Sequence, residues 1–435
     1  MSLIQPTRIL IVGDGGREHA LAWKLAAEPG VNEVIVAPGS AGIGLEPRVR
    51  CLPGVDPLDA RGLVEVARAH AVELVVIGPE APLAAGIADE LRAAGVAVFG
   101  PSARATRIES SKAFCREVAR SAGVPMAEGR AFRDAADFAA ETFARELADD
   151  GPGVVVKADG LAGGKGVAVC GSGDEAAAAL RGLDGPVVIE RRLEGREASL
   201  IALCDGREAM ALPAARDYKR LLDGDAGPNT GGMGACSPLP DLSADAAAEL
   251  VEQFHRPVLA ELARRGAPFR GALYAGLMLT ADGPRLLEFN ARLGDPETQV
   301  ILPRIAVPLA PLLLAAANGR LPTDVGDAVP IFPGAAVGVV LAGAGYPGGG
   351  SRAEPIAGLE DRPAGTALVF HAGTHRRPEG VWITAGGRVL TVVGRGPTLD
   401  AARADAERAA DAITWPGRHR RGDIGRATPL PEAVA

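Results

Sequence analysis

Glu288 and Asn290 stand two residues apart at the end of the run Pro284-Arg285-Leu286-Leu287-Glu288-Phe289-Asn290. The run reads as a short strand, where alternate side chains share a face. Glu288 and Asn290 then point one way, and Leu287 and Phe289 enter the opposite apolar layer. Two oxygen donors side by side suit Mg2+, a hard cation that takes one or two protein ligands and completes its shell with phosphate and water. Arg292 follows, a planar fixed charge able to grip a carboxylate or phosphate with two hydrogen bonds. Asp295-Pro296-Glu297 is expected to open a helix, with Asp295 as N-cap and Pro296 at the first helical position. The plainer reading, a buried strand with two polar residues at its wet end, requires partners for a buried Glu and Asn.

Further groups of the same character recur along the chain. Gly13-Asp14-Gly15-Gly16 follows an apolar strand and precedes a helix, a turn that offers free backbone N–H groups to an anion or simply closes tightly. Glu18 occupies the third glycine position of G-x-G-x-x-G, so the dinucleotide fingerprint is absent. Ser111 caps a helix that places Lys112 in its first turn, against the helix dipole, which a bound anion would explain. Strand alternation puts Lys157 at a strand end. The following Gly163-Gly164-Lys165-Gly166 makes a hairpin able to fold over phosphates, without the Walker spacing. Glu190 and Glu197 bracket a strand, connector and strand that could hold a nucleotide, Glu190 and the Leu193 backbone at the base and Glu197 at the ribose. Gly227-Pro228-Asn229-Thr230-Gly231-Gly232-Met233-Gly234 is too glycine-dense for packed core and reads as a loop whose backbone approaches a ligand. His371 and His375 are too loosely placed to make a metal site.

These residues need a frame. Apolar strands at 9–12, 34–37, 74–77 and 96–99 each end in a Gly or Pro turn and alternate with helical stretches such as 59–70 and 83–94. That pattern predicts a parallel, doubly wound sheet with its ligand cleft at the carboxyl ends of the strands, where Arg17, Glu18 and Glu80 fall. Strands at 336–341, 367–370, 381–384 and 388–393 and a helix at 400–413 read as a separate, smaller α/β lid or support domain from about residue 328.

A chain of 435 residues, 47% hydrophobic but only 4% aromatic, suits tightly packed α/β domains. Its net charge of −8 argues against nonspecific nucleic-acid binding. Five scattered cysteines without CxxC spacing indicate neither a disulfide framework nor a zinc site. With no signal peptide and no membrane-length apolar run, a cytoplasmic protein is expected.

Four motifs together carry a resemblance: Gly-x-Gly-Gly-Arg-Glu-His at 13–19, Lys-Ala-Asp-Gly-Leu-Ala-x-Gly-Lys-Gly-Val at 157–167, Gly-Pro-Asn-Thr-Gly-Gly-Met-Gly at 227–234 and Arg-x-Gly-Asp-Pro-Glu-Thr-Gln at 292–299. The chain resembles, over nearly its whole length, the phosphoribosylamine–glycine ligase (glycinamide ribonucleotide synthetase) family, ATP-grasp enzymes of purine biosynthesis. The resemblance implies an amino-terminal substrate domain (1–103), a two-part ATP-grasp unit (104–327, with a small subdomain inserted at about 124–190) and a carboxyl-terminal domain (328–435). It implies that ATP phosphorylates the glycine carboxylate, and that the amine of 5-phosphoribosylamine then displaces phosphate. Carried over residue by residue, Arg292, Asp217 and Lys219 would hold glycine and the acyl phosphate. Lys112, Lys157, Gly164, Lys165, Glu190, Leu193, Glu197 and Leu286 would hold ATP, and Glu288 and Asn290 would hold Mg2+ or Mn2+. Gly13, Gly15, Gly16, Arg17 and Glu18, with Gly39, Ser40, Ala41 and Glu80, would cradle the sugar phosphate. No nucleic acid or membrane partner is implied, and a monomer is expected.

The chain departs from the family pattern in a shortened loop between Leu180 and Pro186. Arg191-Arg192 replaces an acidic and an aromatic residue, and Tyr218, Leu293, Gly163 and Ser40 stand where His, Phe, Ala and Asn are usual.

Overall fold

The computed structural model describes residues 3–161, 166–322, 326–349, 352–360 and 367–426. Gly164 and Lys165, and with them most of the predicted glycine hairpin, lie outside the described residues.

Four of the first five strands are short, largely apolar and buried on both faces, as strands covered by helices on either side must be, and the edge strand Val49–Cys51 is the more exposed one. Arg8–Gly13, Glu33–Pro38, Val49–Cys51, Leu74–Ile77 and Val98–Phe99 pair in parallel, with Arg8–Gly13 between Glu33–Pro38 and Leu74–Ile77. The strand order reverses beside Arg8–Gly13, so its carboxyl end and that of Leu74–Ile77 open a crevice. The doubly wound sheet is therefore as expected. The helix anticipated over 83–94 is two, Glu80–Ala84 and Ile87–Ala93, because Gly86 breaks the run at φ +84°.

Two antiparallel sheets follow. Gly129–Phe132, Val187–Arg191, Val154–Ala158 and Val167–Cys170 form one, in the spatial order given. Ala209–Ala211, Arg196–Asp205, Arg270–Thr280 and Gly283–Asn290 form the other. They meet where the Leu286 N–H donates to Pro125 O at 2.8 Å and Lys157 Nζ donates to Leu287 O at 2.9 Å.

The second sheet is backed by the long helix Ala244–Arg264, capped by Ser243. Its buried residues Val251, Phe254, His255, Val258, Leu259 and Leu262 recur every three or four positions and form one stripe. His255 is fully buried with Nε2 3.1 Å from Leu273 O. Burial pushes its imidazole down to about 4. The unfolded chain, with an ordinary histidine near 6.5, binds the extra proton between those values. Folded stability is thus complete above pH ~6.5 and falls as the pH drops toward 4, by roughly 3 kcal/mol in all. Urea unfolding of the wild type is expected to show this slope between pH 6.5 and 4. The His255→Gln variant is expected to lose most of it.

The sheet of the carboxyl-terminal segment reaches back into the preceding part of the chain. Leu368–His371, Arg388–Gly396 and Ala335–Ala342 continue into Gly234–Ser237 and Arg216–Asp217, giving one five-stranded sheet. The dense glycine stretch is accordingly divided. Ala226–Asn229 is an exposed hairpin strand, whereas Met233 is fully buried and Gly234 begins a core strand. Glycine at 234 packs where a Cβ would stand 2.5 Å from Gly338 O, so this part of the motif is core after all. The helix Leu399–Asp411 covers this sheet through Ala402, Ala406 and Ala410. Among the described residues, no helix is long and apolar enough to cross a membrane.

Candidate active site

Strand Gly283–Asn290 presents Glu288 and Asn290, both half-buried, on one face, as the alternation requires. The opposite layer differs from expectation. Leu286 and Phe289 enter the core, and Leu287 does not, because the pairing slips between Gly276↔Glu288 and Leu277↔Leu286. Leu287 is the extra residue of a bulge, and its carbonyl is freed to meet Lys157.

Around Glu288 the chain gathers cations from four elements. Lys219 Nζ lies 3.9 Å from Glu288 Oε1 and 2.9 Å from Glu197 Oε2. Burial pushes the Glu288 carboxyl up, but Lys219, Lys157, Lys112 and Arg292 outweigh it and hold the group below the ordinary range, so it is ionised. Lys157 Nζ is buried 2.5 Å from Glu190 Oε2, and Arg116 Nη1 holds the other oxygen of Glu190 at 2.7 Å. Lys157 stays charged because Glu190 and Glu288 overcome its desolvation. Lys112 caps Gly160 O at 2.9 Å. The anion sought at its helix N-terminus is the protein's own. The Asp159 carboxylate accepts from the N–H groups of Lys112 and Ala113 and from Ser111 Oγ.

Arg292 is clasped between two acids, Glu109 Oε1 at 3.3 Å and Glu80 Oε2 at 3.5 Å. Burial drives the Glu109 carboxyl up, with Arg292 opposing it. For Glu80 the balance reverses, because burial is outweighed by Arg292, its own backbone N–H and Arg17, and its carboxyl sits below the ordinary value. Asp217 lies nearby with its carboxyl well above the ordinary range, from burial first and the Glu297 charge second. Two polar atoms here are buried without a hydrogen-bond partner, Asp217 Oδ1 and Arg292 Nε. The acceptor left open at Asp217 Oδ1 suits a ligand carrying an ammonium, whereas Arg292 Nε, though without an aligned hydrogen bond, faces the Glu109 and Glu80 carboxylates.

Asp295 is not the N-cap of the following helix. The helix runs Glu297–Ile301, with Pro296 before it, and the Asp295 carboxylate accepts instead from Gln299 Nε2 at 2.7 Å and faces Arg388 at 3.3 Å.

The amino-terminal loop is more self-contained than its sequence implied. Glu18 folds back under the turn, where its Oε2 accepts from the Gly15 N–H at 2.8 Å and its Oε1 meets Arg17 Nε at 2.5 Å. One of the N–H groups expected to be free is therefore taken. A Cβ at Gly78 would stand 1.9 Å from Glu18 Oε1, and Gly13 is held at φ +129°, so both glycines are required by the buried carboxylate. Arg17 Nη1 reaches Leu293 O at 3.2 Å and ties the loop to the Arg292 segment. Gly39 and Ser40 are half-buried and Ala41 exposed, with Gly39 at φ +67° against Cys51.

Of the remaining expected residues, Gly16 packs beside Gln299, Leu193 is half-buried in the connector after Val187–Arg191, and Leu286 is core. Sequence reasoning missed Glu109, Arg116, Asp159, Glu297 and Arg388. Glu109 carried one signal, an acid in the last turn of the helix Ala103–Ser110, where the dipole disfavours it unless a cation answers.

Known proteins resemble the chain throughout. Three family descriptions match in sequence order: phosphoribosylglycinamide synthetase N domain over residues 7–109, its ATP-grasp (A) domain over 110–298 and its C domain over 336–427. The phosphoribosylamine–glycine ligase of Rhizobium meliloti (strain 1021) is 44% identical over 426 residues, covering 96% of this chain and 98% of the relative. That of Leifsonia xyli subsp. xyli (strain CTCB07) is 47% identical over 424 residues, covering 96% and 99%. The crystal structure of phosphoribosylamine–glycine ligase from Thermotoga maritima superposes with a TM-score of 0.77 at 34% identity, over 96% of this chain and 99% of that one. A biotin carboxylase domain from Hydrogenobacter thermophilus, solved with MgADP, shares the fold at 18% identity and a TM-score of 0.69.

Proposed function

Since the chain belongs to the phosphoribosylglycinamide synthetase family, we propose that its cleft joins glycine to 5-phosphoribosylamine, with ATP as phosphoryl donor, in purine biosynthesis. The observation that carries the reading is the convergence of Lys112, Lys157, Lys219 and Arg292 on the ionised Glu288 beside Asn290. Phosphoryl transfer needs in-line positioning and cations at the equatorial oxygens rather than a protein nucleophile.

A carboxylate oxygen of glycine attacks the γ-phosphorus of ATP, the bond to the β,γ-bridging oxygen breaks, and ADP leaves. The amine nitrogen of phosphoribosylamine then attacks the carbonyl carbon of glycyl phosphate, the C–O bond breaks, phosphate departs, and the amine gives up a proton. Glu288 and Asn290 would hold a divalent cation, Mg2+ or Mn2+, whose charge draws the phosphate oxygens together. Their hard oxygen donors suit such an ion, and the cations around Glu288 suit the phosphate oxygens that would complete its shell.

Lys112 and Lys157 neutralise the nucleotide phosphates, and Gly164 and Lys165, which lie outside the described residues, are assigned to the same phosphates by their sequence motif. Glu190, Leu193, Glu197 and Leu286 line the nucleoside. Arg292 and Lys219 grip the glycine carboxylate and the acyl phosphate, and the open Asp217 Oδ1 receives the glycine ammonium. On the amino-terminal side, the turn Gly13, Gly15, Gly16 and Arg17, braced by Glu18, holds the sugar phosphate with Gly39, Ser40, Ala41 and Glu80.

The test is ADP release from ATP and Mg2+ with glycine and phosphoribosylamine generated in place. Strict dependence on both, with alanine and serine failing to replace glycine, is expected. Release with another acid and amine would change the substrates, and none with ATP still bound would make the protein a nucleotide sensor.

A further inference from the structure

Arg388 opens the strand Arg388–Gly396 at the far end of the chain, yet its guanidinium reaches into the cleft. Nη1 donates to Gly231 O and, at 2.7 Å, to Asp295 O, while Nη2 lies 3.3 Å from Asp295 Oδ2. Three acceptors from two distant motifs thus share one planar cation. The other side of the same glycine is held from the same segment, because the Gly231 N–H donates to the Tyr346 hydroxyl at 2.8 Å. Gly232, next along, is wedged. A Cβ there would stand 2.5 Å from both Asp217 Oδ1 and Pro296 Cδ. Asp217 Oδ1 has no hydrogen-bond partner of its own, so its position depends on packing against the Gly232 backbone and on the pairing of its strand at Ala235.

We propose that Arg388 is a positioning residue for the ligation: by fixing the Gly231-Gly232 turn and Asp295, it holds the Asp217 carboxylate where the substrate's ammonium docks. This rests on the reading of Asp217 given above. A guanidinium is required, because two carbonyls and a carboxylate oxygen fanned around it need several donors in one plane, which a lysine ammonium does not supply. The carboxyl-terminal segment therefore contributes to glycine recognition without touching the substrate.

The experiment is steady-state ADP release by the full-length protein as wild type, Arg388→Lys and Arg388→Ala, varying glycine and ATP separately. Displacements of about 1 Å cost ~100-fold, so kcat/KM for glycine is expected to fall about that far in both variants. The KM for ATP should remain within about twofold, because its charged grips stand on other strands. Millimolar guanidinium is expected to restore Arg388→Ala at least ~10-fold and to leave Arg388→Lys unchanged. Wild-type kinetics in Arg388→Lys, or equal losses for glycine and ATP, would overturn the proposal. Should neither variant fold, Tyr346→Phe reads the same turn. A rise in KM for glycine alone supports the proposal, and unchanged kinetics refutes it. A wild-type protein without glycine-dependent release would instead bring down the functional reading and this proposal together.

Discussion

Glu288→Gln lowers ADP release with saturating substrates by ~1,000-fold or more, roughly 4 kcal/mol of transition-state stabilisation, and leaves the fold intact. The substitution keeps the shape and one oxygen donor but removes the charge at the centre of the lysine cluster. In the wild type that charge balances Lys219, Lys157 and Lys112, which together keep it ionised despite burial. With glutamine, the lysines lose an anion they share, Lys157 and Lys219 keeping only Glu190 and Glu197, and the proposed cation site keeps only neutral donors. Raising Mg2+ recovers only part of the loss. Circular dichroism should show an unchanged spectrum, since the strand pairing Gly276↔Glu288 is a backbone contact. Undiminished ADP release would place the metal elsewhere in the cleft.

Arg292→Met has the second large effect, on stability as well as turnover. Removing one partner of a buried ion pair leaves an uncompensated charge and costs roughly 3–5 kcal/mol. Here two carboxylates are left, Glu109 and Glu80. The sign of the pH dependence follows from their opposite shifts. Glu80, held below the ordinary carboxyl value, contributes stability that is present above the unfolded value near 4.3 and is lost as pH falls through the folded value. Glu109, held above it, costs stability as pH rises from the unfolded value through the folded one. Without Arg292 both carboxyls are raised, both terms become costs at neutral pH, and the variant is more stable near pH 5 than near pH 8. Urea unfolding at the two pH values checks this. A variant equally destabilised at both would show that Arg292 acts through packing alone.

The sheets and the placement of Glu288 beside Asn290 were legible because they are local. Four-residue apolar runs ending in Gly or Pro mark buried parallel strands, and a two-residue spacing puts Glu288 and Asn290 on one face whatever surrounds them. What escaped depends on partners far along the chain. The bulge at Leu287 arises from the neighbouring strand at Gly276. Asp295 reads as a cap until Arg388 and Gln299 compete for its carboxylate. The anion beside Lys112 was sought outside the protein, although Asp159 supplies it from 47 residues away. Glu18 reads as a ligand contact in the cleft, and its burial against Gly13, Gly15 and Gly78 shows that its carboxylate is folded inward.

The sheet joining Gly234–Ser237 to Ala335–Ala342 has a consequence for how the protein is made. The earlier strand leaves the ribosome roughly 100 residues before its partner, a wait of about 5–20 s at ordinary elongation rates. Through that interval its buried-type surface and open hydrogen-bonding edge are uncovered, together with the half-assembled Asp217 side of the cleft. A nascent chain stopped before residue 335 is thus a client for chaperones rather than a smaller working enzyme. The cleft is completed only when the last strands have been synthesised.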